Sequence, residues 1–542
     1  MNRGRNGGSG GPKRLVIADP LRPEGLDVLG EASGLIVEDH TEDEREVLAS
    51  ALAGASGLIV RSRTKVDAAL IEASDVLEVI GRAGVGVDNI DIEAATRRGI
   101  AVLNSPAANT CSTAELAFGL LLAAARNIGE ADASVRAGEW KRKAMRGTQL
   151  KGKTIGVVGA GRIGTEIVRR ARAFGMEVLA YDPYLGADRA NELGLRLVEF
   201  DTLLENSDAV TLHVPLTDEN RGLIGAEEIA RMRDGAILVN AARGGLVDEA
   251  ALAEALVAGK LGGAGLDVYE REPLPAESPL REAPNLVFTP HLGASTAEAQ
   301  AEVSRQIAVA MRDALLSADI QTALNAPYEE GERGRIAPVM ELGRRLGMLL
   351  GELDEGRCQR VEVQYAGSIA GVLRPLAAAA MEGFLSRRVE PPINVVNALS
   401  IAGELGIDVA RVRTAAFSDY TNHVQLRTST DDPSEDIVVC GAFLGEAGHT
   451  RIVRIGEFHV NIKPQGTLLL VENRDIPGVI GQVGTKLGRA RVNIAQYHQG
   501  RRAAGGAALG VVTVDGQVSP EVMEDLRGIP EVASVRQVSF DA

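Results

Sequence analysis

Three short apolar runs, Arg14–Asp19, Gly57–Val60 and Leu77–Ile80, are separated by segments whose apolar positions recur at helical spacing. Strands that alternate with helices predict a parallel α/β unit. Leu116–Ala125 is longer and rich in Ala and Leu, which predicts a buried helix. Lys153–Gly159 reads as a strand, and Ile167, Val168, Ala171 and Phe174 then recur at helical spacing. Glu177–Tyr181 is a second strand, ending at Asp182, so the stretch is one βαβ unit of about thirty residues. Further strands at Ala209–His213, Ala236–Asn240, Gly263–Asp267 and Asn285–Phe288 predict a sheet of six or seven strands. A long amphipathic helix from Thr296 to about Ser317 is able to return the chain to the first unit. The character changes near Asn325: a helix over 338–351 precedes several short strand-like runs, the last at His459–Ile462, with no catalytic motif. From Leu468 onward the pattern is βαββαβ, with strands at 468–472, 492–498, 507–514 and 532–538 and helices at 478–489 and 519–527.

At 542 residues the chain exceeds what one core supports, so it is multi-domain. Its 58 Lys+Arg against 74 Asp+Glu give a net charge of −16, which with 3% aromatics argues against general nucleic-acid binding. Cys111, Cys358 and Cys440 lie too far apart in sequence for a disulfide framework or a zinc pattern, and no metal is expected. The longest apolar stretch falls short of the roughly 20 residues that span a bilayer. The basic start lacks an apolar signal region. A cytoplasmic protein with a disordered tail over residues 1–12 is the expectation.

Gly159-x-Gly161-x-x-Gly164 lies between a predicted strand and a predicted helix, with Asp182 closing the next strand. Gly159 permits a tight turn, Gly161 lets the backbone approach a pyrophosphate, and Gly164 allows close helix–strand packing. The helix N-terminus favours phosphate, and Asp182 would accept from ribose hydroxyls while repelling a 2′-phosphate, which favours NAD over NADP. The competing reading is a glycine turn that merely packs. The strand–turn–helix context selects a Rossmann-like, doubly wound dinucleotide-binding domain.

Three polar residues follow later apolar strands: Arg243 in Asn240–Gly245, Glu272 in Asp267–Pro273 and His291 in Thr289–Ser295. Ligands of open parallel sheets bind beyond the C-terminal strand ends, so these residues are expected to be neighbours. Hydride removal from a secondary alcohol needs a base for the hydroxyl proton, which His291 can take and return. Glu272 could orient the imidazole, and Arg243 offers a planar fork to a carboxylate. Alone, each has an ordinary reading as surface ion pair, structural histidine or solvated charge.

Taken together, these motifs resemble those of the D-2-hydroxyacid dehydrogenase family. Within it, Arg82–Asn89, Pro290–Thr296 and the long C-terminal extension resemble the branch that acts on 3-phosphoglycerate, over about residues 13–542. The resemblance implies NAD as cofactor, His291 as acid/base, Glu272 as its partner and Arg243 as carboxylate anchor. It puts Arg162 and Ile163 at the pyrophosphate and Val214, Ala241, Ala242 and Asp267 along the cofactor, with His291, Leu292, Gly293 and Ala294 closing the site. Asn109 and the loop of Arg82, Val85 and Gly86 would face substrate. Val85 stands where some relatives carry a hydroxyl residue. A phosphate needs more positive charge than one Arg, and Arg61 and Arg82 follow apolar strands. Lys141, Arg142 and Lys143 beside Trp140 are either a solvated loop or, as in some relatives, an arm that reaches a neighbouring subunit.

The C-terminal unit resembles an ACT domain through Glu472–Gly478 and Val492–Ile494, which implies effector contacts from Asn473, Asp475 and Asn493 and makes L-serine the candidate effector. Plain turn and cap chemistry accounts for the same residues. The middle segment resembles the intervening domain of long relatives, where Arg451, Arg454 and Lys463 are either an anion site or surface charge.

The expected architecture is a flavodoxin-like substrate domain (13–106 and 296–325), a Rossmann-like NAD domain (107–295), an intervening α+β regulatory domain (326–464) and a ferredoxin-like ACT domain (468–542). The activity implied is oxidation of 3-phospho-D-glycerate by a homodimer or homotetramer. Another 2-hydroxy acid, or an NAD-sensing protein without turnover, are the alternatives.

Overall fold

The computed structural model describes residues 11–320, 322–328, 333–356, 358–389, 393–414, 420–444 and 449–540. The tail expected over 1–12 therefore lies, up to residue 10, outside the described residues. Among the described residues the strands form four sheets.

The first sheet is parallel, in the spatial order Leu35–Asp39, Lys13–Ile17, Gly57–Val60, Val79–Arg82, Ala101–Leu103. Leu15, Leu58, Ile59 and Ile80 are fully buried, as expected for strands covered on both faces. Leu35–Asp39 and Ala101–Leu103 are additional to the runs named above. The third run pairs as Val79–Arg82 rather than Leu77–Ile80, because Val60 registers with Arg82. That two-residue shift makes Arg82 the last residue of its strand.

The second sheet is also parallel and seven-stranded. Its strand Thr154–Val158 lies between Glu177–Tyr181 and Ala209–Leu212, so the chain departs from it in both directions. This is the switch point where parallel sheets open a crevice, and the glycine loop sits at its end. Helix Thr110–Ala125, with Ala114, Ala117, Leu120 and Leu121 buried, packs against this sheet.

Helix Ala297–Ser317 is started by Thr296, whose hydroxyl accepts from Ala299 N–H at 3.2 Å. It returns to the first sheet, with Ile307 and Met311 against Gly81 and the Ser304 hydroxyl accepting from Arg22 N–H at 3.1 Å. Asn325 stitches the exit: its amide donates to Ile100 O and its oxygen accepts from Val102 N–H.

A mixed six-stranded sheet follows, from Arg360–Ala366 to Phe458–Ile462, with Arg333–Leu353 and Leu373–Leu385 packed on it. The last sheet is antiparallel, in the order Ile494–Arg501, Ala507–Val514, Thr467–Arg474, Val532–Ser539, with two helices that bury Val483, Leu487 and Leu526. No helix of the described residues is long and apolar enough to cross a membrane.

Candidate active site

The glycine loop is shaped by close packing. Gly159 has φ +88°, and a Cβ there would stand 2.6 Å from His213 O. At Gly164 it would stand 2.0 Å from Gly159 O. Gly161 differs: nothing lies within 4 Å of its Cβ position, and it starts helix Arg162–Ala173 with no side-chain cap. A cavity of about 430 Å³ lies over Ala160–Arg162 and Thr110. Asp182 closes Glu177–Tyr181 and accepts from Ala160 N–H and Tyr184 N–H, both at 2.9 Å. Each carboxylate oxygen keeps a lone pair for a ribose hydroxyl. An uncapped helix start, open space at the middle glycine and a carboxylate at the next strand end fit a dinucleotide. Ile163 follows Arg162 in the first turn, Val214 closes against Gly159, and Ala241 follows the strand Ala236–Asn240.

The structure brings His291 and Glu272 together, with Nδ1 and Oε2 2.8 Å apart. Glu272 Oε1 accepts from Tyr269 N–H at 3.1 Å, which fixes the carboxylate. Tyr269 donates its hydroxyl proton to Thr289 O at 2.9 Å, and burial, with Asp267 nearby, pushes its pKa up to about 12. Fully buried Asp267 accepts from Leu292 N–H at 2.7 Å, Gly293 N–H at 2.9 Å and the Thr289 hydroxyl at 2.6 Å. That carboxylate therefore organises the loop that carries His291, whose φ is +55°. From the other side Thr113 donates to Gly293 O at 3.1 Å, one residue before Ala294.

Arg243 sits on a turn held by Asn240, whose amide donates to Arg243 O and whose oxygen accepts from Ala242 N–H. Its guanidinium lies against Gly86, where a Cβ would come within 2.4 Å of Nη2, and 3.7 Å from the exposed Asp88 carboxylate. Arg82 lies in the same field: burial first, then Arg243 and Arg61, lower its pKa, and its Nε is buried without a hydrogen-bond partner. Val85 is braced through its carbonyl, which accepts from Asn104 at 2.7 Å. Asn109 precedes helix Thr110–Ala125 but makes no side-chain cap bond, and its Oδ1 is buried and unpartnered. Arg243 of the second sheet thus stands against the Arg82–Asn89 loop of the first. Asp19, Arg63, Asn89, Asn104, Asn240 and Tyr269 were not singled out by sequence reasoning. Asp19 had a signal, a carboxylate closing an apolar strand.

His213 follows strand Ala209–Leu212 beside the glycine loop, its Nε2 3.0 Å from Thr211 Oγ1 and its Nδ1 buried without a partner. Burial pulls its pKa down to about 4.

Trp140 is 83% exposed and Lys141 pairs with Glu139, on the segment that continues through Arg142 and Lys143. In the last sheet the effector candidates are not gathered. Asn473 is buried and accepts from Gln499, and Asp475 pairs with Arg501 at 3.1 Å. Asn493 instead donates to Asp515 at 2.8 Å. Asn473 registers with Ala508 and Ile494 with Val514, which sets the two asparagines about 20 Å apart along the strands. Arg451 and Arg454 lie on His449–Ile455, where Arg454 donates to Gly456 O, and Lys463 follows the strand Phe458–Ile462. Among the described residues no cluster of three or more His, Cys, Asp or Glu side chains is arranged to hold a metal ion.

Three family models match the chain. Residues 118–293 match the NAD-binding domain of D-isomer-specific 2-hydroxyacid dehydrogenases, 335–456 the intervening domain of D-3-phosphoglycerate dehydrogenases, and 467–531 the ACT domain. A D-3-phosphoglycerate dehydrogenase of Archaeoglobus fulgidus is 42% identical over 535 residues, covering 97% of this chain and all of the relative. One of Methanocaldococcus jannaschii is 41% identical over 530 residues, with 97% and 100% covered. Among solved structures, a glyoxylate reductase from Paecilomyes thermophila aligns with TM-score 0.54 and 33% identity, over 58% of this chain and 98% of that one.

Proposed function

This chain belongs to the family of D-3-phosphoglycerate dehydrogenases, and from that membership we propose that it oxidises the C2 hydroxyl of 3-phospho-D-glycerate to 3-phosphohydroxypyruvate, the first step of serine synthesis. Bound NAD supplies the acceptor for the C2 hydride. The remaining work falls to the chain's own side chains.

A carboxylate only accepts hydrogen bonds, so the 2.8 Å contact puts the His291 proton on Nδ1 and leaves Nε2 as the base. Nε2 takes the C2 hydroxyl proton as hydride leaves the same carbon, and Glu272 stabilises the imidazolium so formed. In the reverse direction the same proton returns to the carbonyl oxygen. Arg243 holds the C1 carboxylate through its planar fork. Arg61 and Arg82 hold the phosphate. The single observation that carries this last assignment is Arg82 itself: a largely buried guanidinium in the field of Arg243 and Arg61, with its Nε buried and unpartnered. Such charge is costly unless an anion offsets it. Asn109, with its own buried acceptor unpartnered, faces the same substrate. Asp182 takes the adenine-ribose hydroxyls, and the N–H groups at Arg162 and Ile163 take the pyrophosphate.

The ACT module takes a small-molecule effector, for which L-serine is our candidate. The distance between Asn473 and Asn493 within one chain supports a site built from two copies, with Asn473 and Asp475 from one and Asn493 from the other. Exposed Trp140 supports a homodimer or homotetramer in which Lys141–Lys143 reach a neighbouring copy. The cytoplasm is the compartment that suits this chemistry. NADH formation from NAD and 3-phosphoglycerate, with a serine titration, tests the reading. A saturable rate that serine lowers supports both halves, a rate indifferent to serine removes the effector, and no rate removes the substrate.

A further inference from the structure

The turn Arg61–Thr64 leaves the C-terminal end of strand Gly57–Val60 and is gripped from two sides. Asp19, 1% exposed after the first strand, accepts from Arg61 N–H at 2.6 Å and Thr64 N–H at 3.2 Å through Oδ2. Its Oδ1 accepts from the Thr64 hydroxyl at 2.9 Å and from Arg63 Nε at 3.0 Å. From the opposite side Asn89 Nδ2 donates to the Arg61 carbonyl at 2.7 Å and to the Thr64 carbonyl at 2.6 Å. The first and last residues of the turn are thus held through both N–H and C=O. The backbone adds Val66 N–H to Asn89 O and Asp91 N–H to Val66 O, both at 2.8 Å.

Asn89 closes the loop that begins at Arg82. One side chain therefore ties the root of Arg61 to the segment that carries Arg82. Asp19 is also a counter-charge: with Asp88 it opposes the field that Arg243 and Arg61 exert on Arg82. A buried carboxylate with this many donors is a rigid fixture, since moving it would strand each of them.

On the reading that this site takes a phosphorylated hydroxy acid, we propose that Asp19 and Asn89 are positioning residues that fix Arg61 relative to Arg82, and so set the span into which the phosphate fits. Neither touches the reacting atoms. Their effect passes through Arg61, because a group misplaced by about 1 Å loses much of its contribution.

The test is a double-mutant cycle on the full-length enzyme. Asn89→Ser and Asp19→Asn are each made in the wild type and in an Arg61→Ala background, reading KM for 3-phosphoglycerate, kcat and the Kd of NADH. In the wild type, Asn89→Ser is expected to raise KM about tenfold, with kcat within about threefold and NADH binding unchanged. In the Arg61→Ala background the same change adds less than about twofold, because the residue it positions is gone. An equal factor in both backgrounds, an unmoved KM, or a loss of NADH binding as large as the KM change overturns the proposal. Half-buried Asn89 decides alone if the buried Asp19 variant fails to fold. Wild-type enzyme with no turnover of 3-phosphoglycerate removes the functional reading and this proposal together. Wild-type turnover with an unaltered Asn89→Ser removes the proposal only.

Discussion

His291 Nδ1 stands 2.8 Å from Glu272 Oε2, and the other oxygen of that carboxylate is held by Tyr269 N–H. The imidazole is therefore oriented by a group that is itself oriented, which is the arrangement a proton-transfer base requires. His291→Ala is expected to lower kcat by about 10²- to 10⁴-fold, with the Kd of NADH changed less than about twofold. Glu272→Gln keeps the shape and removes the charge, so it lowers kcat less and moves the pH–rate profile. Stopped-flow hydride transfer and NADH fluorescence titration separate the two quantities. An undiminished kcat in His291→Ala assigns the base elsewhere.

Arg243 lies 3.7 Å from exposed Asp88, a weak pairing that a substrate carboxylate can displace. Arg243→Ala should raise KM for the hydroxy acid by about 10- to 100-fold, the scale of a lost charge-assisted hydrogen bond, and leave NADH binding intact. Steady-state kinetics at saturating NAD checks it, and unchanged KM and kcat would remove Arg243 from the site.

Asp182 already holds the Ala160 N–H of the glycine loop and the Tyr184 N–H of its own turn. Asp182→Ala is expected to raise KM for NAD about tenfold and to narrow the preference for NAD over NADP, because the charge that repels a 2′-phosphate is gone. Kinetics with both cofactors reads this directly. A preference as wide as that of the wild type would mean discrimination lies elsewhere.

Burial lowers the His213 pKa from 6.5 to about 4. Between those values the unfolded chain binds a proton that the folded one refuses, so stability is lost as pH falls through this window. Above about 6.5 neither state is protonated, and below about 4 both are, so the contribution is flat outside it. His213→Asn should therefore flatten the fall in Tm between pH 6.5 and pH 4. Parallel Tm curves for the two proteins would show that His213 does not titrate differently on folding.

Much of the two parallel sheets was legible because their strands are continuous apolar runs, and the chemistry sits where those runs stop. Gly159 and Asp182 follow a strand directly, and Arg243 and His291 stand three residues beyond one. Leu35–Asp39 carries Glu38 and is only part-buried, while Ala101–Leu103 has three residues, so neither has the length or pattern of a buried strand. Arg82 became the end of a strand through pairing with Val60, which no local pattern encodes. Asp19 and Asn89 brace a turn remote in sequence through side-chain-to-backbone bonds, which have no periodic signature. Asn473 and Asn493 were legible as motif residues, but their separation is a matter of strand register.

On the proposed assignment, the arginines around Arg82 select a phosphorylated 2-hydroxy acid. Comparing kcat/KM for 3-phospho-D-glycerate, D-glycerate and D-2-hydroxyglutarate under one set of conditions tests it most directly. 3-Phosphoglycerate is expected to exceed D-glycerate by at least about 100-fold, as fits a site whose buried charges are left unpaired by the smaller acid, and Arg82→Ala is expected to close most of that gap. An equal or higher value for either unphosphorylated acid, or a gap that Arg82→Ala leaves intact, would contradict it.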